Sequence, residues 1–248
     1  MHSILESVKE SPGFTTGLRL SDDDLVLVKN AISEHLANHL ARIEPDKVPL
    51  LQTTALDMYH TIAGQLPHDK LLTRQSRILA QTAVDAIRTT SLFRQLESQL
   101  GAFEISDEEN VGRESISIRL VRPGFDTDVG SLHADDWFWK LYDFPVPTGK
   151  RRVKIWIAIC CEQGKSGLIL CPNSHKRDWD YSVIERAGMS KPLLSPDENP
   201  DKQIFQSKPG DAVVFNYDLL HGGMVTRGER TRVSMEFTML IPEDVYQH

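Results

Sequence analysis

The chain has 248 residues, 40% hydrophobic and 25% charged, a make-up that excludes disordered and fibrous classes and fits one globular domain. Its formal net charge of -7 removes the basic face that a phosphate backbone rewards, so nucleic acid is not expected as a partner. The longest uninterrupted apolar run, Ile155 to Cys161, is far too short to span a bilayer, and Glu6, Lys9, Glu10 and Pro12 interrupt the start where a secretory signal needs apolar residues. A cytoplasmic protein with no membrane span is the expectation.

Residues 21 to 100 read as helices. Ser21 stands as an N-cap ahead of Asp22, Asp23 and Asp24, and Leu25, Val28, Ile32, Leu36 and Leu40 follow at helical spacing. Further helices are expected over Leu50 to Leu66, Lys70 to Thr89 and Leu92 to Leu100.

After Gly101 the period changes to two. Strands are expected over Glu114 to Arg122, Arg152 to Cys161, Leu168 to Cys171, Gln203 to Ser207, Ala212 to Phe215 and Arg230 to Ile241. The order of elements predicts an α+β fold, a double-stranded β-helix (jelly roll, cupin-like) with the helical region packed on the outer sheet face. Residues 1–248 form one domain in this reading, 1–100 mainly helical and 101–248 the jelly-roll core.

Alternation sorts the strand faces. Arg232, Ser234 and Glu236 share one face, while Val233, Met235 and Phe237 share the other; Arg119 opposes Ile118 and Leu120, and Lys154 and Trp156 oppose Val153, Ile155 and Ile157. If helices cover the apolar faces, the polar ones line a lumen. If they do not, the polar faces meet solvent. The adjacent Cys160 and Cys161, with Cys171, read as small buried hydrophobes rather than a disulfide or zinc framework.

The chemistry concentrates at His133-Ala134-Asp135 and the distant His221. Imidazole and carboxylate two apart on an extended segment point the same way, and a second imidazole completes a three-point face for a metal. Such a face leaves open positions for two oxygens of a 2-oxo acid and one dioxygen. Asp136 points away and is only a fallback ligand; His175 reads as part of a turn. Eleven positions past His221, Arg232 offers a guanidinium fork that binds a carboxylate with two bonds, and Ser234 adds a hydroxyl on the same face.

At these residues the chain resembles the phytanoyl-CoA dioxygenase family of 2-oxoglutarate oxygenases, from about Glu114 to Leu240. The resemblance includes Val153-Lys154-Ile155-Trp156-Ile157-Ala158, Ser166-Gly167-Leu168 and Cys171-Pro172-Asn173-Ser174-His175, where Asn173 replaces the family's usual glycine. It implies a double-stranded β-helix, iron(II) at His133, Asp135 and His221, 2-oxoglutarate held at Arg232, dioxygen as the oxidant, and a hydroxylated small-molecule product. The carboxylate at Asp135 favours hydroxylation over halogenation.

Arg119, Lys154, Trp156 and Trp137 are further candidates for contact with a small substrate, anionic or sugar-like. Asn173 to Lys202, long, polar and broken by Pro192, Pro196 and Pro200, reads as a lid. A cupin-like isomerase or hydrolase using zinc or manganese, and a noncatalytic ligand-binding barrel, remain alternatives that the first three ligands alone do not separate.

Overall fold

The computed structural model describes residues 3–186 and 188–247 and shows a mixed fold of helices and antiparallel sheet. In chain order the helices are α1 (Ile4–Lys9), α2 (Asp22–Ile43), α3 (Val48–Gln52), α4 (His68–Leu71), α5 (Gln81–Arg88), α6 (Ser91–Leu100), α7 (Asp135–Leu141) and α8 (Glu243–Gln247). The strands are β1 (Phe14–Arg19), β2 (Glu104–Ile105), β3 (Ser117–Val121), β4 (Lys150–Cys160), β5 (Leu168–Leu170), β6 (Tyr181–Arg186), β7 (Met189–Leu194), β8 (Gln203–Ile204), β9 (Asp211–Asn216), β10 (His221–Gly223) and β11 (Arg232–Pro242). The larger sheet runs β1-β9-β4-β11-β2, with β3 also on β11; the smaller one runs β10-β5-β8.

Helix α2 forms as its sequence dictates. The Ser21 hydroxyl accepts from the Asp24 amide at 3.1 Å, three aspartates sit in the positive first turn, and Leu25, Val28, Ile32, Leu36 and Leu40 are buried along one stripe. That stripe shares a continuous hydrophobic cluster with Ile116, Ile118 and Leu120, with Val153, Ile155 and Ile157, and with Val233, Met235 and Phe237. Each fully buried side chain of this kind contributes about 1.5–3 kcal/mol. Helix α2 and these apolar strand residues thus share one core, while Trp156, Ala158, Val213 and Phe215 join Leu168, Leu170 and Leu219 in a second buried cluster. All three cysteines are free, Cys160 and Cys171 buried and Cys161 half-buried.

Two expected helices are shorter than their apolar content suggests. The stretch Leu50 to Leu66 resolves into α3 and two 3-10 turns, Leu56–Thr61 and Ala63–Gln65. Lys70 to Thr89 is broken between α4 and α5, because Ile78 bridges Ser117 and the Leu79 amide donates to the Ile116 carbonyl at 2.9 Å. Sheet pairing there overrides helix propensity.

The expected lid between Asn173 and Lys202 holds structure of its own. Strands β6 and β7 pair from Tyr181↔Leu194 to Arg186↔Met189 as a hairpin. Pro192 is tolerated because this sheet has only two strands and so two free edges. Asn173 itself takes a left-handed conformation, φ 63°, so asparagine supplies the turn geometry where the family places glycine. Among the described residues no helix is long and apolar enough to cross a membrane.

Candidate metal centre and its pocket

His133 and His221 stand opposite each other as an isolated antiparallel bridge, and Ala134 continues the extended backbone with φ -102° and ψ 143° before α7 begins at Asp135. Asp135 thus opens a helix rather than lying mid-strand, but the residue before it is extended, and the alternation still turns its side chain toward His133. His133 Nε2 lies 3.7 Å and His221 Nε2 3.8 Å from Asp135 Oδ1. Ligand atoms of the three residues all fall within 4.8 Å of one another.

The tautomers follow from the backbone. His133 Nδ1 lies 2.7 Å from the Ser131 carbonyl and His221 Nδ1 2.9 Å from the Leu219 carbonyl. A carbonyl oxygen only accepts, so each Nδ1 carries the proton and each Nε2 turns its lone pair to the centre, as in metal-bound histidines generally. Burial pushes the His221 imidazole down to about 4, with Asp135 opposing, so the ring is neutral and ready to ligate near neutrality. Burial disfavours the Asp135 carboxylate too, but Lys154, His221 and His133 outweigh it and hold the group well below the usual carboxylate range. Asp136 instead pairs with Lys140 at 2.5 Å. His175 contacts the Lys9 carbonyl at 3.1 Å, away from the centre.

Lys154 is buried beneath this cluster, its Nζ 3.2 Å from Glu108 Oε2 and 3.8 Å from Asp135 Oδ2. Burial opposes its charge, yet Asp135 and Glu108 raise its affinity for the proton above that of an ordinary lysine.

Arg232 is 1% exposed and its guanidinium is incompletely satisfied. Nη1 donates to the Gly167 carbonyl at 3.0 Å, while Nε and Nη2 have no partner among the described residues. Leaving two buried donors of a cation unpaired is costly unless a ligand completes them. The unpaired Nη2 lies toward β10: a Cβ on Gly223 would sit 3.3 Å from it, and Gly223 lies two residues beyond His221 on the same face of β10. Ser234, buried and two residues along β11, shares the face of Arg232 and stands opposite Arg119.

A cavity of about 640 Å³ opens in front of the centre, reached by His133, Asp135, Arg119 and Lys154. Phe138, Trp139, Tyr142 and Phe144 form its aromatic part, and Met189 and Lys191 of the hairpin reach it from β7. The two tryptophans expected near a substrate lie elsewhere. Trp137 packs with Ala134, Cys171 and Leu220 and stacks on Tyr181 at 4.3 Å, because the helical turn that aims Phe138 inward turns Trp137 outward. Trp156 is buried among Phe14, Val213 and Leu219, edge-on to Phe205, where it underlies Arg232 at 5.8 Å.

The cavity also contains Arg77, which the sequence hid inside an expected helix.

The chain matches the phytanoyl-CoA dioxygenase (PhyH) family over residues 25–234. It belongs to that family. Members are iron(II)- and 2-oxoglutarate-dependent oxygenases, and the histidine–aspartate–histidine cluster with a nearby unsatisfied guanidinium suits both the metal and a dicarboxylate. No curated protein matches this PhyH chain significantly by sequence. Among solved structures, EctD from S. alaskensis with 2-oxoglutarate and 5-hydroxyectoine is 15% identical, with TM-score 0.53 over 95% of this chain and 74% of that one. The nickel complex of ThoJ, a non-heme monooxygenase, is 12% identical, with TM-score 0.50 over 96% and 77%. At such identities the likeness speaks to fold alone.

Proposed function

We propose that this PhyH oxygenase hydroxylates an unactivated carbon of a small substrate, with iron(II) held by His133, Asp135 and His221 and 2-oxoglutarate held through its distal carboxylate by Arg232 and Ser234. The chain acts as a single oxygenase domain, its larger and smaller sheets serving as the two faces of a jelly roll with the helices outside. The observation that carries the reading is the buried Arg232 fork, with Nε and Nη2 unpaired, beside the strand that bears His221. A zinc isomerase or hydrolase has no need of such a clamp.

Iron(II) would be held by His133, Asp135 and His221, and with 2-oxoglutarate and dioxygen it would supply oxidative decarboxylation coupled to C–H hydroxylation, giving succinate, carbon dioxide and the hydroxylated product. The protein's own part is placement. Ser131 and Leu219 carbonyls hold the two imidazoles with Nε2 inward. Lys154 neutralises the buried charge shared by Asp135 and Glu108, so the carboxylate is retained in a low-dielectric pocket. Phe138, edge-on to His133 at 5.0 Å, shields the metal side from bulk water. Two neighbouring carbonyls and the rings of Trp139 and Phe144 engage Arg152, fixing the aromatic side of the cavity.

The test is spectroscopic and chemical. Anaerobic addition of iron(II) and 2-oxoglutarate should produce a weak visible charge-transfer band, and oxygen should then convert 2-oxoglutarate to succinate. Protein that binds iron yet gives neither band nor succinate would remove the oxygenase reading; a product bearing no new hydroxyl would remove hydroxylation alone.

A further inference from the structure

Arginines and lysines of the cavity lining are matched in number by its carboxylates, but they are not all held in close pairs. Arg122 is clamped on Asp128 by two bonds of 2.8 Å, Arg74 is paired with Glu109, and Lys154 lies between Glu108 and Asp135. Arg77 is different. It is half-buried, it forms no ion pair among the described residues, and its guanidinium makes one long hydrogen bond, Nε to the Thr73 carbonyl at 3.4 Å. Arg119 is held loosely, Nη2 lying 3.9 Å from Glu236 Oε1, beyond hydrogen-bond reach.

The backbone brings these two arginines to one place. The Ile118 amide donates to the Arg77 carbonyl at 2.9 Å, Ile78 bridges Ser117, and Leu79 bonds Ile116, so the segment after α4 is zipped onto β3, which carries Arg119. Burial, followed by the charge of Arg119, depresses the Arg77 guanidinium to about 10. The two guanidiniums repel each other in a half-buried site where Glu236 and Glu109 offset that repulsion only in part and neither is hydrogen-bonded to Arg77 or Arg119, an arrangement suited to an anion.

Resting on the oxygenase reading above, we propose that Arg77 and Arg119 form the subsite for a carboxylate of the molecule being oxidised. The co-substrate does not need them, since its distal carboxylate goes to the more deeply buried Arg232. His133 and Asp135 line the same cavity as Arg77 and Arg119, so a substrate anchored by its carboxylate has its carbon body within the space before the metal. Phe138, Trp139 and Tyr142 offer that body an apolar surface. The substrate class is a small carboxylic acid with a partly apolar frame, rather than a neutral sugar.

The experiment uses N-acetyl amino acids, each matched with its primary amide, titrated calorimetrically into the whole protein under nitrogen with iron(II) and saturating 2-oxoglutarate. At least one carboxylate should bind about 10-fold or more tightly than its amide, the range of a charge-assisted bond. Arg77→Gln and Arg119→Gln should each abolish that preference while leaving amide binding and 2-oxoglutarate affinity within about twofold. Arg77→Lys should restore part of it. The same carboxylates should stimulate succinate release in the unaltered protein. The proposal is overturned if no carboxylate outbinds its amide, if the preference survives both glutamine variants, or if 2-oxoglutarate affinity falls in step with it, which would assign the pair to the co-substrate. A carboxylate preference that depends on Arg77 in a protein giving neither charge-transfer band nor succinate would instead sink the oxygenase reading and leave the anion subsite standing.

Discussion

His133 and His221 exchange both of their backbone hydrogen bonds, each amide donating to the other's carbonyl at 2.9 Å. Two candidate metal-ligand side chains 88 positions apart are thus fastened by a two-bond clasp of backbone alone. The imidazoles would need little reorganisation to bind iron, because the clasp already sets their positions. Replacing His133, Asp135 or His221 with alanine should lower iron affinity by at least about 100-fold, since even outer partners of a ligand cost 10–100-fold. Equilibrium dialysis with iron(II), alongside circular dichroism to show the fold intact, checks this; near-normal iron binding in any of the three would remove that residue from the ligand set.

Arg232→Ala should separate co-substrate from metal. Loss of a buried charged fork should weaken 2-oxoglutarate binding by about 100-fold or more while iron affinity stays within a few-fold. Titration of the charge-transfer band against 2-oxoglutarate reads the first, dialysis the second. Equal loss of both would make Arg232 a structural arginine.

Gly223→Ala provides a gentler probe of the same place. Its new methyl would stand 3.3 Å from Arg232 Nη2 and 3.2 Å from Val129 Cβ, a contact that either neighbour must yield to. The KM for 2-oxoglutarate should rise about 10-fold with iron binding unaltered, because a shift of a few tenths of an ångström degrades a two-pronged bond. An unchanged KM would place the co-substrate away from Gly223.

The metal-free protein should lose stability in mild acid. His221 is depressed from 6.5 to about 4 by burial, so the unfolded chain takes up a proton first as pH falls through this interval, and proton uptake favours unfolding. Asp135, also depressed, adds a loss at lower pH by the same logic. The His221 contribution is on the order of 2–3 kcal/mol. Denaturant unfolding between pH 7 and pH 4 should show the decline, and His221→Gln should flatten it; parallel curves for the two proteins would refute the assignment.

Asp218 carries the opposite sign. Burial and the nearby Asp136 push its carboxyl up to about 6, so its protonated form stabilises the fold at low pH and that contribution is lost as pH rises from the unfolded value of 3.8 through about 6. Asp218→Asn should then raise stability at pH 7.5 by roughly 1 kcal/mol, with the gain vanishing below about pH 4. Chemical denaturation at the two pH values decides it.

Much of this was legible in residue order, and the gaps have physical causes. The alternation in β4 and β11 separated the two faces because Val233, Met235 and Phe237 share the cluster of the helices, which leaves Arg232 and Ser234 together on the other face. Strand β10 escaped notice because His221-Gly222-Gly223 is too short to show a period. The β6–β7 hairpin was hidden by its polar residues and Pro192, which a two-stranded ribbon tolerates and a central strand does not. Arg77 was concealed by a pairing across 39 positions, Ile78 to Ser117, that no local pattern announces. Trp137 and Phe138 could be told apart only once α7 had set which of two adjacent aromatics turns inward.

The zipping of the Arg77 segment onto β3 divides labour along the chain. The histidines, the aspartate and Arg232 all come from the latter half, whereas Arg77 is delivered by the helical first hundred residues. Changes to the length or pairing of that early segment would move one wall of the cavity by way of β3, the strand that lies between it and Arg232 and Ser234 of β11. In the proposed reading, substrate choice would be set from the early part of the chain, through a strand that also flanks Arg232 and Ser234.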